Sequence, residues 1–117
     1  MPKHAGSGKP ERFVQPSLLM ALSSGPSYGY ELTARIGEYG FIKGDPPPGM
    51  IYRHLRQMEE DGLVGSQWDA EGAGPARRVY SLTEEGREVL HAWVEYMDRH
   101  ARNLSRFVET YRAGAKA

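Results

Sequence analysis

Apolar residues recur at helical spacing in three stretches of the first half of the chain. Two short helices are predicted, one from Phe13 to Ser23 and one from Ser27 to about Gly37, and Ser27 is a typical N-cap for the second. A third helix is predicted from near Pro48 to just before Gly62. Proline fits the first position of a helix, and glycine commonly follows a helix end.

The pattern then changes to that of two short strands, Leu63 to Trp68 and Arg77 to Leu82. The residues between them are rich in glycine, proline and other turn formers, which is typical of a hairpin connection. A hairpin after three helices is a wing. The predicted fold class is therefore mainly α with a small β-hairpin, in a winged helix-turn-helix arrangement.

A long final helix follows the hairpin. Thr83 is the expected N-cap, and Glu84 and Glu85 complement the positive end of the helix dipole. No helix-breaking residue occurs before Gly114. About 28 residues at about 1.5 Å each give a rod on the order of 40 Å, too long to lie wholly on a domain of this size.

This final helix carries an apolar stripe at alternating spacings of four and three residues. Its members are Leu90, Val94, Met97, Ala101, Leu104, Val108 and Tyr111. Such a heptad pattern is typical of helices that pair with a second helix, and it predicts a homodimer. The alternative, that the stripe packs on its own domain, stays open.

These elements divide the chain into three parts. Residues 1–12 are expected to form a flexible tail, residues 13–82 the winged helix-turn-helix, and residues 83–113 the dimerisation helix. The polar start of the chain lacks the apolar stretch of a signal peptide, and no apolar run reaches the roughly 18 residues of a membrane span. With no cysteine in the chain, a cytoplasmic location is expected and no membrane partner.

Basic and acidic residues are segregated along the third helix, although the chain as a whole carries no net charge. The chain has 15 basic and 15 acidic residues, a net charge of zero that is unusual for a nucleic-acid-binding domain. Arg53, His54 and Arg56 lie in the first half of the helix, and acids at 59–61 lie at its end, where they oppose the helix dipole. This order suits a recognition helix whose N-terminal half enters a major groove, although an ordinary solvated face remains the alternative.

The second predicted strand adds another basic position. Arg77 and Arg78 are neighbours in a strand, so they should point to opposite faces, and only one of them need meet DNA. A wing arginine can lie along the DNA backbone or enter the minor groove. The alternative is an edge strand that uses charge to avoid pairing with other strands.

Catalytic chemistry finds no support in the sequence. The chain has no phosphate-binding loop followed by Lys-Ser/Thr, no nucleophile elbow and no HExxH motif, and its four histidines are scattered. No catalytic residue, metal site or cofactor is expected, and the protein is not expected to be an enzyme.

A series of short motifs resembles the PadR family of transcriptional regulators, and the resemblance covers residues 13–112. The motifs are Leu18-Leu19-Met20-Ala21-Leu22, Ser27-Tyr28-Gly29-Tyr30-Glu31-Leu32, Pro48-Gly49-Met50-Ile51-Tyr52-Arg53-His54-Leu55, Met58-Glu59-Glu60-Asp61-Gly62-Leu63-Val64 and Gly74-Pro75-Ala76-Arg77-Arg78-Val79-Tyr80-Ser81-Leu82-Thr83-Glu84-Glu85-Gly86. Met50 and Ile51 depart from the family pattern, in which Thr or Ala precedes Leu or Val.

The resemblance implies a dimeric winged-helix repressor that binds double-stranded operator DNA and dimerises through its C-terminal helix. The positions that match the DNA-facing surface of the family are Tyr28, Gly49, Tyr52, Arg53 and Arg56, with Arg77 and Arg78 in the wing. An effector cavity is implied between the winged domain and the dimer helices, with Phe13, Trp93, Val94 and Met97 as candidate lining residues. Plain dimer core is the alternative role for these four.

Within the family, the chain is most similar to the poly-β-hydroxybutyrate-responsive repressors. Ser66-Gln67-Trp68-Asp69 and Gly72-Ala73-Gly74-Pro75-Ala76-Arg77-Arg78, together with Phe41-Ile42, carry this finer resemblance. Because Trp93 lies near the dimer stripe, we expect a small apolar or aromatic effector there to release DNA; a polymer surface or a partner protein is the alternative signal. A winged-helix module that binds another protein and no DNA is the second functional hypothesis.

Overall fold

The computed structural model describes residues 11–42, 44–69 and 74–116. The helices and strands of this part are α1 Val14–Leu22, β1 Ser27–Tyr28, α2 Gly29–Arg35, a 3-10 helix Ile36–Tyr39, α3 Pro48–Glu60, β2 Val64–Asp69, β3 Arg77–Leu82 and α4 Glu84–Lys116. Helices dominate, and the three strands form a small antiparallel sheet, of which β2 and β3 lie between α3 and α4 along the chain. This arrangement confirms the predicted fold class.

The sheet has three strands in the order β1-β3-β2, one more than the predicted hairpin. Ser27 pairs with Tyr80, and Tyr28 pairs with Val79. The prediction of Ser27 as the N-cap of α2 is wrong, because Ser27 is a strand residue and Tyr28 is the N-cap. A strand of two residues is too short to show the alternation of apolar and polar positions by which a sequence indicates a strand.

Both predicted ends of α3 are confirmed. Pro48 is the first helical residue, where a missing N–H leaves no bond unmade. At the other end Gly62 adopts a φ of 80°, a left-handed conformation that other residues rarely take. This turn lets the Leu63 N–H donate to the Met58 carbonyl at 2.9 Å and sends the chain into β2.

The core is formed by the inner faces of the three small helices. Leu18 and Leu19 of α1 pack with Leu32 of α2 and with Ile51 and Leu55 of α3, all fully buried. Because these buried residues of α3 recur at helical spacing, the opposite side of the helix is held in solvent. The core thereby fixes the orientation of the exposed face of α3.

The predicted cap of α4 is also confirmed. The Thr83 hydroxyl accepts the Gly86 N–H at 3.0 Å and donates to the Gly62 carbonyl at 2.6 Å, which ties the start of α4 to the end of α3. The helix continues through Gly114, beyond its predicted end at residue 113, because a lone glycine costs a helix only about 1 kcal/mol. No helix in the described part of the chain is long and apolar enough to cross a membrane.

Candidate nucleic-acid interface

The outward face of α3 presents four of the predicted DNA-binding positions. Gly49, Tyr52, Arg53 and Arg56 are all exposed, and they lie on the side of the helix away from the buried Ile51. A Cβ atom at Gly49 would meet no other atom within 4 Å. This open surface lets another molecule approach the first turns of the helix closely.

Arg77 lies in an aromatic cluster on the sheet face that carries Tyr28. The rings of Tyr28 and Tyr30 are stacked with centroids 5.6 Å apart, and the Arg77 guanidinium lies 5.7 Å from each. The Tyr28 hydroxyl donates to the Asp69 carboxylate at 2.5 Å, and this hydrogen bond raises the pKa of Tyr28. Tyr28 therefore stays neutral while Arg77 supplies the positive charge of the cluster.

Arg78 lies on the opposite face of the sheet, where it is bound to α3. Its Nε donates to the Ser66 hydroxyl at 2.9 Å, and that hydroxyl donates to the Glu59 carboxylate at 2.7 Å. A second guanidinium nitrogen lies 4.0 Å from the same carboxylate. The guanidinium also lies over the Trp68 ring, 5.0 Å from its centroid. Arg78 thus joins the wing to the last turn of α3.

A cleft of about 380 Å³ separates α3 from the wing and brings several predicted positions together. It is lined by Tyr28, Gly29, Tyr30, Tyr52, Trp68, Ala76, Arg77, Arg78 and Tyr80. Gly29 makes room for the Tyr52 ring, because a Cβ atom there would lie 2.5 Å from Tyr52 Cε1. Of the predicted DNA-binding residues, Tyr28, Tyr52, Arg77 and Arg78 border this cleft, while Gly49, Arg53 and Arg56 lie on the exposed face of α3.

Glu11 contacts α3, a feature absent from the sequence predictions. Its carboxylate accepts a hydrogen bond from the Arg53 guanidinium at 2.9 Å and lies 3.0 Å from His54 Nε2. These two contacts lower the pKa of Glu11. The tail was predicted over residues 1–12, of which 1–10 lie outside the described residues. No sequence pattern could have indicated a contact that spans more than 40 positions.

The predicted dimer stripe divides into two halves. Leu90 and Met97 are half-buried against the winged domain, and they border a cavity together with Val94. The later members of the stripe, Ala101, Leu104, Val108 and Tyr111, are all exposed. Phe107, 75% exposed, widens the exposed half and was missed because it falls outside a strict heptad spacing.

The four candidate effector residues do not meet in one cavity. Phe13 packs on Phe41 at 4.7 Å and on Trp93 at 6.1 Å between ring centroids, and the Trp93 indole N–H donates to Gln15 at 2.8 Å. Trp93 borders an open groove with Arg12, Val89, Ala92 and Tyr96. Val94 and Met97 line a separate cavity of about 420 Å³ with Pro16, Ser17, Met20, Tyr39, Phe41, Leu90 and Asp98.

Two curated proteins are similar to part of this chain. The negative transcriptional regulator PadR of Bacillus subtilis (strain 168) is 24% identical over 87 residues, 71% of this chain and 46% of that protein. A probable transcriptional regulator, Rv1176c of Mycobacterium tuberculosis, is 30% identical over 78 residues, 67% of this chain and 41% of that protein. The chain spans less than half the length of either relative.

Solved structures share the fold over most of the chain. A conserved protein of unknown function, described as a potential transcriptional factor, is 28% identical with a TM-score of 0.79, over 92% of this chain and 95% of that chain. Bacillus subtilis PadR in complex with operator DNA is 24% identical with a TM-score of 0.62, over 71% of this chain and 47% of that chain. The model of the transcriptional regulator PadR-like family matches residues 18–92, more than half of the 117 residues, and the chain belongs to this family.

Proposed function

We propose that this protein is a repressor that binds double-stranded operator DNA as a homodimer. The observation that carries the proposal is the placement of four arginines around one surface. Arg53 and Arg56 are exposed on α3, and Arg77 and Arg78 border the cleft beside it. Membership of a family of transcriptional regulators supports this function, as does the shared fold with a PadR protein solved on operator DNA.

The proposed binding mode places the N-terminal half of α3 in a major groove. Arg53 and Arg56 then reach phosphates or guanine edges, while the acids at the end of the helix stay clear of the duplex. The strand that borders the groove lies in the cleft between α3 and the wing, within reach of Arg77 and Arg78. In this mode the attraction to DNA comes from the exposed arginines and not from the net charge of the chain, which is zero.

The proposed homodimer pairs the exposed half of α4 with that of a second copy. Burying Leu104, Phe107, Val108 and Tyr111 removes the largest apolar stripe of the helix from water. A two-fold dimer presents two copies of α3, which must be separated by about 34 Å, one turn of DNA, or by a multiple of it. Any change in how α4 meets the winged domain alters that separation.

The cavity beside Val94 and Met97 is the proposed effector site. Its volume of about 420 Å³ falls in the range of small-molecule sites, and its lining joins α4 to Met20 and Phe41 of the winged domain. A small apolar or aromatic ligand there can favour one helix arrangement over another. A poly-β-hydroxybutyrate surface is the alternative effector, which the finer resemblance implies. Trp93 lies outside this cavity, but it contacts Phe13, which packs on the cavity residue Phe41. In a Trp68→Phe variant, ligand binding should therefore change Trp93 emission and release DNA over the same concentration range.

DNA binding is tested by the salt dependence of affinity. A duplex is selected from a random-sequence library by repeated binding to the wild-type protein, and its affinity is measured by fluorescence anisotropy from 50 to 200 mM salt. If the dimer makes several arginine–phosphate contacts, raising the salt over this range should reduce the affinity by about 10³-fold or more, because condensed counterions are released on binding. Failure to select any duplex, or an affinity independent of salt, would favour the protein-binding module instead.

A further inference from the structure

Trp68 is the most unusual exposed residue of the wing. Its side chain is 64% exposed at the end of β2, although a tryptophan is among the largest apolar side chains. The Arg78 guanidinium covers one face of the indole, 5.0 Å from the ring centroid. The rest of the ring remains open at the rim of a cleft that Arg77 and Arg78 also line.

The orientation of the indole follows from the pairing of the strands. Trp68 lies opposite Arg78, and Ser66 lies opposite Tyr80, so these four side chains share one face of the sheet. Tyr80 is buried on that face, and Ser66 reaches Glu59 of α3. The indole therefore stands on the side of the wing that turns toward the recognition helix.

Glu59 has a position that helix stability does not explain. A carboxylate in the last turn opposes the helix dipole, yet Glu59 lies there and accepts the Ser66 hydroxyl at 2.7 Å. Ser66 in turn accepts the Arg78 Nε–H at 2.9 Å. These bonds fix the plane of the guanidinium, and that plane supports the Trp68 ring.

We infer that Trp68 is a DNA-contacting residue and that Glu59 and Ser66 are positioning residues that act through Arg78. The inference rests on the proposed function, because the partner is the duplex strand lying between α3 and the wing. The open face of the indole suits the apolar deoxyribose wall of a groove, whereas the neighbouring arginines suit its phosphates. Glu59 thus increases DNA affinity although its charge repels DNA.

The direction in which DNA affinity changes when the carboxylate charge is removed distinguishes a positioning role from simple repulsion of DNA. Glu60→Gln is the matched control, since Glu60 is exposed and adjacent, and its side chain makes no hydrogen bond or ion pair in the part of the chain that the structure describes. Removing that charge should tighten binding of the selected duplex. Glu59→Gln should weaken it about threefold or more, because it weakens the acceptor that holds Ser66 and Arg78. Tighter binding by both variants would overturn the positioning role.

Truncation of the indole gives a second test. Trp68→Ala should weaken binding of the selected duplex about tenfold, because apolar contact is lost. The slope of log affinity against log salt should not change, because the indole is uncharged. Arg77→Ala should flatten that slope. Circular dichroism confirms the fold of each variant, and Trp68→Phe, which keeps an aromatic ring, should retain most of the affinity. Unchanged affinity in Trp68→Ala would overturn the contact.

Fluorine NMR detects the contact directly. The chain has two tryptophans, so 5-fluorotryptophan labelling gives two resonances, which the Trp68→Phe variant assigns. Saturation with the selected duplex should shift the Trp68 resonance, and Glu59→Gln should reduce that shift. If the wild type binds the duplex with a steep salt slope while the Trp68 resonance does not move, this inference fails and the proposed function stands. If no duplex binds at all, the proposed function itself fails.

Discussion

Glu11 and Arg53 form an ion pair at 2.9 Å on the exposed side of the recognition helix. Both side chains are about half exposed, so water and salt screen the pair and it adds little to the stability of the fold. Its consequence concerns DNA. The carboxylate occupies a donor of Arg53 that a phosphate would use in the proposed binding mode, and it also lies against His54.

Glu11→Gln should therefore increase the affinity for DNA, because it removes a negative charge that competes with phosphate for Arg53. The expected gain is about two- to fivefold, the size of an exposed ion pair. Fluorescence anisotropy with the selected duplex measures it. Glu38→Gln is the control, because it removes the same charge from a different place. Glu38 lies in the 3-10 helix that follows α2, whereas Tyr28 and the cleft lie at the start of α2. An unchanged or lower affinity in Glu11→Gln would show that the pair does not compete with DNA.

Arg53→Ala and Arg56→Ala should each weaken binding of the selected duplex by about 1–3 kcal/mol if these side chains contact base edges. If they contact only phosphates, affinity should fall equally for selected and scrambled duplexes, and the salt slope should flatten. Arg106→Ala removes an exposed arginine of α4 and should change neither quantity. Full affinity in the Arg53 and Arg56 double variant, with an intact circular dichroism spectrum, would contradict both versions.

Leu104→Glu should convert the proposed dimer to monomers, because it places like charges against each other within the apolar stripe of α4. Leu104 is 55% exposed, so the winged domain itself should fold normally. Sedimentation velocity at micromolar concentration measures the mass. Asn103→Glu introduces the same charge one position away, outside the stripe, and should leave the mass unchanged. An unaltered mass in Leu104→Glu would place the interface elsewhere.

Much of the fold follows from local chemistry, and the boundaries of α3 show why. Pro48 and Gly62 each impose a backbone conformation that depends on no distant residue, so the sequence alone indicates where the helix begins and ends. The predicted range of β3, Arg77–Leu82, matches for a similar reason, since strong strand formers follow a turn-rich segment.

The remaining features depend on contacts between distant parts of the chain. Ser27 belongs to a strand because Tyr80 is available as a partner, whereas its local sequence is typical of a helix cap. Charge sorting on α3 indicated a recognition helix, yet the contacts of Glu59 and Glu11 are not contained in any helical pattern. Glu59 binds the wing through Ser66, and Glu11 reaches Arg53 from before α1. Such pairings appear only when the tertiary fold is known.

Glu31 predicts how stability depends on pH. Its carboxylate accepts the Tyr28 N–H and the Ser27 hydroxyl, each at 3.0 Å, and these bonds lower its pKa from 4.5. A carboxyl group with a lowered folded-state pKa stabilises the fold fully above its unfolded value, and this contribution is lost as the pH falls through the folded value. Glu31→Gln should therefore melt below the wild type at pH 7. The melting temperatures of the two proteins should converge below pH 4.5. A difference in melting temperature that stays constant with pH would contradict the assignment.

Gly86→Ala should destabilise the fold by about 1–3 kcal/mol, because close packing around the site cannot accept an added methyl group. A Cβ atom at Gly86 would lie 2.1 Å from the backbone oxygen of Leu63. Gly114→Ala is the matched control within the same helix, since a Cβ atom there meets nothing within 4 Å. It should stabilise α4 by up to about 1 kcal/mol, as alanine favours a helix over glycine. Urea denaturation monitored by circular dichroism measures both changes.

The exposed second half of α4 would make the structure of this protein depend on its own concentration if the proposed homodimer forms. Residues 101–115 are all exposed, and an isolated helix of about that length is only marginally stable in water. In the proposed homodimer, pairing with a second copy would supply the missing tertiary support, so helix content should rise with protein concentration in step with dimer formation. Dilution would then unfold the exposed turns of α4. The same equilibrium would separate the two copies of α3 in the proposed dimer. If the proposed homodimer forms, the number of copies in the cell should itself act as a regulatory signal on DNA occupancy, even without an effector.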